Sequence, residues 1–333
     1  MLPNTTGGAF ARLHLSILLA GFTGVLGKLI TLSEGMLVWY RMGLALCVVC
    51  AIFLWRGLRT GKGLPRLPPG EVLRVMGVGT LLCLHWLFFY ASIKLSNVSV
   101  GVVCFALVGF FTAIIEPLWL RTPIRPRELA LGGLTVVGIG LIFSFDARYR
   151  LGIAVGVVAS LVDVFYIVSN KTVSPRLHAL DKLLYQMLGG FVFLTLLLPL
   201  YVRVFAVEQL LPGWRDWGLL VFMALFCTVG MCVLLLQSLE RISAFTVNLS
   251  FNLEPVYSIV IAMLFLGEGR EVGWAFFVGL ACIAFSVVLQ SWLAWREQQA
   301  IRKNLALDPM PRADAGTPLH HGNQDPARAE APR

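Results

Sequence analysis

Ten apolar stretches, each near the length that crosses a bilayer, leave this chain few ways to fold. They run over 11–30, 35–55, 74–93, 97–120, 128–145, 151–170, 182–202, 217–238, 243–266 and 272–295. A transmembrane helix needs about 20 mainly apolar residues. In hydrocarbon every backbone N–H and C=O must be satisfied within the structure, so a long apolar run is helical. Composition agrees: of 333 residues, 58% are hydrophobic and 14% charged, with mean hydropathy +0.80. Soluble domains carry roughly 25% charged residues. These properties argue against soluble domains and predict an all-α polytopic membrane protein with ten transmembrane helices. The first run is too long for a signal peptide and lacks a small-residue cleavage site, so it reads as an uncleaved span.

Loop charge then sets orientation, because cytoplasmic loops collect Lys and Arg. One side gathers sixteen, among them Arg56, Arg59, Lys62 and Arg66, while the other has eight when Lys28 and Arg41 near helix ends are included. Both termini are expected in the cytoplasm. The net charge of +9 follows from these loops and calls for no nucleic-acid partner. Seven cysteines all fall in apolar segments; Cys47 and Cys50 have CxxC spacing without a second pair or a nearby histidine. They read as small membrane-helix residues, and no metal or cofactor is expected.

A shift of 146 residues places the first half on the second. Gly109 falls on Pro255, Phe111 on Tyr257, Thr112 on Ser258, Trp119-Leu120 on Phe265-Leu266, and Gly133 on Gly279. The expected division is 1–146 and 147–296, five helices each, followed by a disordered cytoplasmic tail over 297–333 rich in Pro, Ala and charge. An odd number of spans inverts the second copy, a common build of secondary transporters whose site lies near the midplane. The fold class is thus ten transmembrane helices as two inverted five-helix repeats.

The run Gln237–Glu268 is the most informative single stretch. It is long enough to span, yet its middle holds Asn248, Ser250, Asn252, Glu254 and Pro255. A carboxylate at bilayer depth is costly, and proline removes a backbone N–H, so this helix is expected to border a polar interior. Its motifs, Ser243-Ala244-Phe245, Glu254-Pro255-Val256, Phe265-Leu266-Gly267-Glu268 and then Gly279, resemble those of the EamA-type drug/metabolite transporters. The first half departs from that pattern, with Val108-Gly109 where proline is frequent and Arg121-Thr122 in place of Gly-Glu. The resemblance covers about residues 11–295 and implies an inner-membrane carrier, by analogy an exporter, of small organic molecules.

Candidate site residues follow from polar groups at depth. Ser160, Asp163, Tyr166 and Asn170 recur at steps of three or four and share one face. Asp163 either faces a substrate path or bonds to a neighbouring helix. Glu254 is a second candidate: Asn248 and Asn252, four apart, share a face, Glu254 points elsewhere on an ideal helix, and a kink at Pro255 would bring it round; its alternative is a structural carboxyl paired with a cation or held protonated. His85 sits mid-span with Trp86, Phe89 and Tyr90, either a histidine in an aromatic pocket or one bonded to another helix. Lys28 and Arg41 read first as snorkelling cations, with an outer gate or anion contact as the minority reading. Glu116 is expected to pair with Arg121 or Arg125. Gly21, Gly24 and Gly27 would permit close helix packing.

These residues favour a secondary transporter of a small polar metabolite, such as an amino acid, by alternating access. Substrate would sit between spans 3, 4 and 6 and spans 8 and 9. Asp163 or Glu254, each a carboxyl in low dielectric, could carry a coupled proton. No Walker-type phosphate loop provides for ATP drive. An intramembrane enzyme is disfavoured because no His/Asp metal cluster, nucleophile motif or His-Glu-x-x-His helix occurs. The runner-up is a membrane receptor that binds a small ligand without moving it.

Overall fold

The computed structural model describes residues 6–61, 63–143, 149–173, 177–239 and 253–267, with single residues and short runs between 247 and 299. Every regular element among the described residues is helical. In chain order they are α1 (Thr6–Leu29), α2 (Glu34–Thr60), α3 (Pro69–Leu95), α4 (Val98–Phe105), α5 (Leu107–Leu120) and α6 (Pro126–Phe143). The second half has α7 (Arg150–Thr172), α8 (Ala179–Val204), α9 (Trp214–Ala224), a π-helical segment (Leu225–Gly230), α10 (Met231–Leu239) and α11 (Glu254–Leu266). Among the described residues, seven stretches are long and apolar enough to cross a membrane: α1, α2, α3, α4 with α5, α7, α8, and α9 through Ser238 of α10. They correspond to the first, second, third, fourth, sixth, seventh and eighth of the ten expected spans. The fifth segment is the 18-residue α6. Of the ninth and tenth, the described residues include the apolar helices Glu254–Leu266 and Phe277–Ser286. The tail over 297–333 lies outside the described residues, apart from Gln299.

Local sequence explains where helices start and stop. Glu34 occupies the first turn of α2, where the helix dipole favours an acid. That helix ends on Gly61, whose φ of 69° lets its N–H close on the Gly57 carbonyl at 2.9 Å. Asn97 caps α4 by accepting a hydrogen bond from the Val100 N–H at 2.8 Å. The fourth span is interrupted at Ala106, between α4 and α5.

The ninth span departs from its expected form. Instead of running through Pro255 with a kink, a new helix starts at Glu254 with Pro255 in its first turn. A proline there loses no intrahelical bond, because the first-turn N–H groups have no partner inside the helix. The preceding Leu253 N–H closes a tight turn on the Ser250 carbonyl at 3.0 Å. Glu254 thus sits at a helix start rather than mid-helix.

The two halves match in element length. Shifting α1, α2 and α3 by 146 residues gives 152–175, 180–206 and 215–241, against observed Arg150–Thr172, Ala179–Val204 and Trp214–Leu239. Packing partners exchange in the same way. α3 lies on α7 as α10 lies on α1, and α3 contacts α8 as α2 contacts α9. α1 packs on α11 as α7 packs on α4 and α5, while α2 meets α8 and α4 meets α11 across the middle.

Small residues make the closest approaches possible. Cβ atoms added at Gly79 of α3 and Gly189 of α8 would run into the carbonyls of Gln186 and Met76 respectively. The Gly21, Gly24 and Gly27 stripe of α1 has the packing role expected. It receives Ser258 and Tyr257 of α11 at Gly21, Val98 of α4 at Gly24 and Tyr90 of α3 at Gly27. Ser258 Oγ also donates to the Gly21 carbonyl at 2.9 Å.

Candidate functional site

A cavity of about 360 Å³ lies between the halves, within the 300–1,000 Å³ range of small-molecule sites. α3, α4, α7, the π segment with α10, and the start of α11 line it. α1, α2 and α8 contribute as well. Its wall is chiefly apolar and aromatic, including Trp86, Phe89, Phe105 and Tyr166, with a few charged groups set into it.

Six of the nine candidate residues line this cavity: His85, Trp86, Asp163, Tyr166, Asn170 and Glu254. Tyr90 does not. It is fully buried behind the wall, where its hydroxyl accepts a hydrogen bond from Arg41 Nη1 and faces Met223 Sδ. Asn248 and Asn252 lie outside the described residues.

Asp163 and His85 form the centre of the α3–α7 contact. They are each 6% exposed, and Asp163 Oδ1 is 3.8 Å from His85 Nδ1. The same Nδ1 lies 3.1 Å from the Ala159 carbonyl, which can only accept, so the proton belongs on Nδ1. The ring stacks on Phe89 at 5.9 Å and meets Phe105 at 5.5 Å. Ser160, on the same stripe as Asp163, turns away to donate to the Cys104 carbonyl of α4 at 2.8 Å. Asn170 is held at the far end of α7, its Oδ1 accepting from Gln186 Nε2 at 3.0 Å. Glu254 reaches the cavity from the start of α11, which packs on α1 and α4.

Arg41 corrects the first expectation made for it. It does not snorkel: it is 3% exposed and reaches inward to the cavity wall. Its guanidinium carbon lies 3.6 Å above the Trp86 ring, and Nε donates to Thr228 Oγ1 at 3.0 Å. Thr228 is in the π segment and donates in turn to the Met223 carbonyl at 3.1 Å. Sequence position alone, eight residues into α2, hid this role. The only local hint was a permanent cation within an apolar run.

Lys28 does not snorkel either. It donates to the carbonyls of Ile93 and Ser96 at the end of α3, at 3.1 and 2.9 Å. Lys94 of α3 reciprocates by donating to Ile30 and Leu32 at the end of α1. Beside them Asp216 accepts from the Thr31 N–H at 3.2 Å and from its hydroxyl. Tyr201 at the end of α8 donates to Glu34 at 2.9 Å. These contacts tie helix termini together at this end of the bundle. The cavity instead extends toward the opposite end of α8, to Ala179 and Lys182. There Glu116 pairs with Lys171 at 2.8 Å rather than with Arg121 or Arg125, and Arg125 pairs with Glu128 at 3.1 Å.

Residues 10–144 and again 150–292 match the EamA-like transporter family, and the chain belongs to it. It is thus a membrane transporter of the drug/metabolite transporter superfamily. Among curated proteins it is similar to the "Uncharacterized transporter YetK" of Bacillus subtilis (strain 168). The two are 23% identical over 286 residues, 83% of this chain and 84% of that one. A solved crystal structure shares the fold at TM-score 0.59 and 17% identity, covering 86% of this chain and 98% of its own.

Proposed function

We propose that this protein is a secondary carrier, an exporter of a small polar metabolite of the amino-acid type, built as two inverted five-helix halves. The observation that carries this reading is the meeting of Asp163, His85 and Glu254, from α7, α3 and α11, on one cavity. Charged groups at membrane depth mark substrate or ion paths. The helix start at Glu254 also sets a break in the ninth span beside the cavity, and discontinuous helices are a common feature of transporter sites near the midplane. The exchange of packing partners between halves supports a two-fold relation in which one half rocks against the other.

Loop charge puts the Ala179–Lys182 end at the cytoplasmic face. On that orientation the cavity is in position to load from inside, with the Lys28–Lys94 end closed. Asp163 or Glu254 would carry a proton in exchange for substrate.

The test is a thermal-shift screen of purified protein against common metabolites, followed by counterflow in proteoliposomes. A ligand binding only the folded state stabilises by about 2.7 kcal/mol at a hundredfold excess over its Kd. We expect a hit that Asp163→Asn or Glu254→Gln abolishes, and whose counterflow is lost in the same variant. A hit that both variants bind as tightly as wild type, or one that never crosses the bilayer, would overturn the reading.

A further inference from the structure

We infer that Arg41 is the anion subsite of the cavity and that the substrate carries a free carboxylate that docks on its guanidinium. The inference deepens the carrier reading and rests on it only in taking the bound molecule to be cargo.

A guanidinium stays charged in any protein environment, and a buried charge needs a partner of opposite sign or a full set of hydrogen bonds. Arg41 has neither among the described residues. Its Nε donates to the Thr228 hydroxyl and its Nη1 to the Tyr90 hydroxyl, both neutral groups. The flat face rests on the Trp86 ring. These contacts fix the plane of the fork without neutralising it. No carboxylate among the described residues comes within ion-pair distance of Arg41. Nη2 makes no hydrogen bond to a described residue, yet it is not among the sealed and unsatisfied polar atoms, while Arg41 lines the cavity.

A rigid fork without an ion pair, facing the cavity, suits a planar two-oxygen anion, which takes two parallel N–H bonds. Asp163 and Glu254 line the same cavity from α7 and α11. A substrate with a carboxylate at one end and an ammonium at the other would place opposite charges on opposite partners. A molecule lacking the carboxylate would leave Arg41 unpaired, and leaving a site's polar group unmatched is the strongest form of rejection such a pocket offers.

The experiment uses the full chain and matched probes: L-leucine and L-phenylalanine against L-leucinamide and L-phenylalaninamide, which keep the ammonium and lose the carboxylate. Binding to wild type, Arg41→Lys, Arg41→Gln and Tyr90→Phe is read by thermal shift, and each binder is then tested for counterflow in proteoliposomes. At least one acid is expected to bind wild type ten-fold or more tightly than its amide. Arg41→Gln should erase that preference, while Arg41→Lys and Tyr90→Phe should weaken it. Equal binding of acid and amide, no binding by either acid, or a preference that survives in a folded Arg41→Gln would overturn the subsite. The wild-type comparison decides the matter where Arg41→Gln does not fold. An acid that binds through Arg41 but never crosses the bilayer leaves the subsite standing and removes the carrier. Amides carried as well as acids do the reverse.

Discussion

Arg121 and Gly267 occupy one structural position in two copies. They are 146 residues apart, and each ends the helix of its half in the left-handed region, at φ 55° and 69°. Glycine adopts that conformation freely, whereas a residue with a Cβ is strained there by roughly 1–2 kcal/mol. Arg121→Gly should therefore stabilise the protein by about 0.5–1 kcal/mol, once the extra flexibility of glycine in the unfolded chain is deducted. Gly267→Ala should destabilise it by a similar amount; thermal unfolding in detergent reads both. Residue chemistry was partly legible in the sequence. Asp163, Tyr166 and Asn170 could be placed on one face by spacing alone, because helical periodicity is local. Arg41 could not, because what separates a snorkelling cation from a buried one is Trp86, Tyr90 and Thr228, and Thr228 is 187 residues away.

At the scale of elements, apolar runs marked the helices well but hid their interruptions. The fourth span pauses at Ala106 and the ninth restarts at Glu254, though neither apolar run is broken by a charged loop. Pro255 was read as an interior kink. Whether a proline kinks a helix or begins one depends on the hydrogen bonds behind it, and hydropathy does not record those. Close helix contacts make a sharper prediction. Gly79 and Gly189 bring the backbones of α3 and α8 together, and a methyl on either meets a carbonyl rather than a movable side chain. Gly79→Ala and Gly189→Ala should each destabilise by about 1–3 kcal/mol, the usual cost of overpacking. Gly77→Ala, on the same helix with open space around it, should not lower the unfolding temperature. Equal behaviour of Gly77→Ala and Gly79→Ala would contradict this packing.

For the molecule as a whole, one end of the bundle is tied by polar contacts between helix termini, while the cavity runs toward the other. Removing the ties should expose the cavity from the tied end. Cys232 lines it. In a chain keeping only that cysteine, a membrane-impermeant maleimide applied at the tied end should label Cys232 slowly while Lys28 and Lys94 are present. Lys28→Met with Lys94→Met should raise the labelling rate several-fold, and an unchanged rate would show that something else seals this end.

The exchanged lysines have one more consequence. Lys28 leaves α1 to hold the end of α3, and Lys94 leaves α3 to hold the end of α1. Both holds span the same seam, so any separation of the two helix ends breaks them together. Half-released arrangements are then short-lived, and the seam behaves as a toggle rather than a hinge that can rest at intermediate angles. A pair of fluorophores across it should report two discrete distances, and losing one lysine should change how long each is occupied rather than create a third.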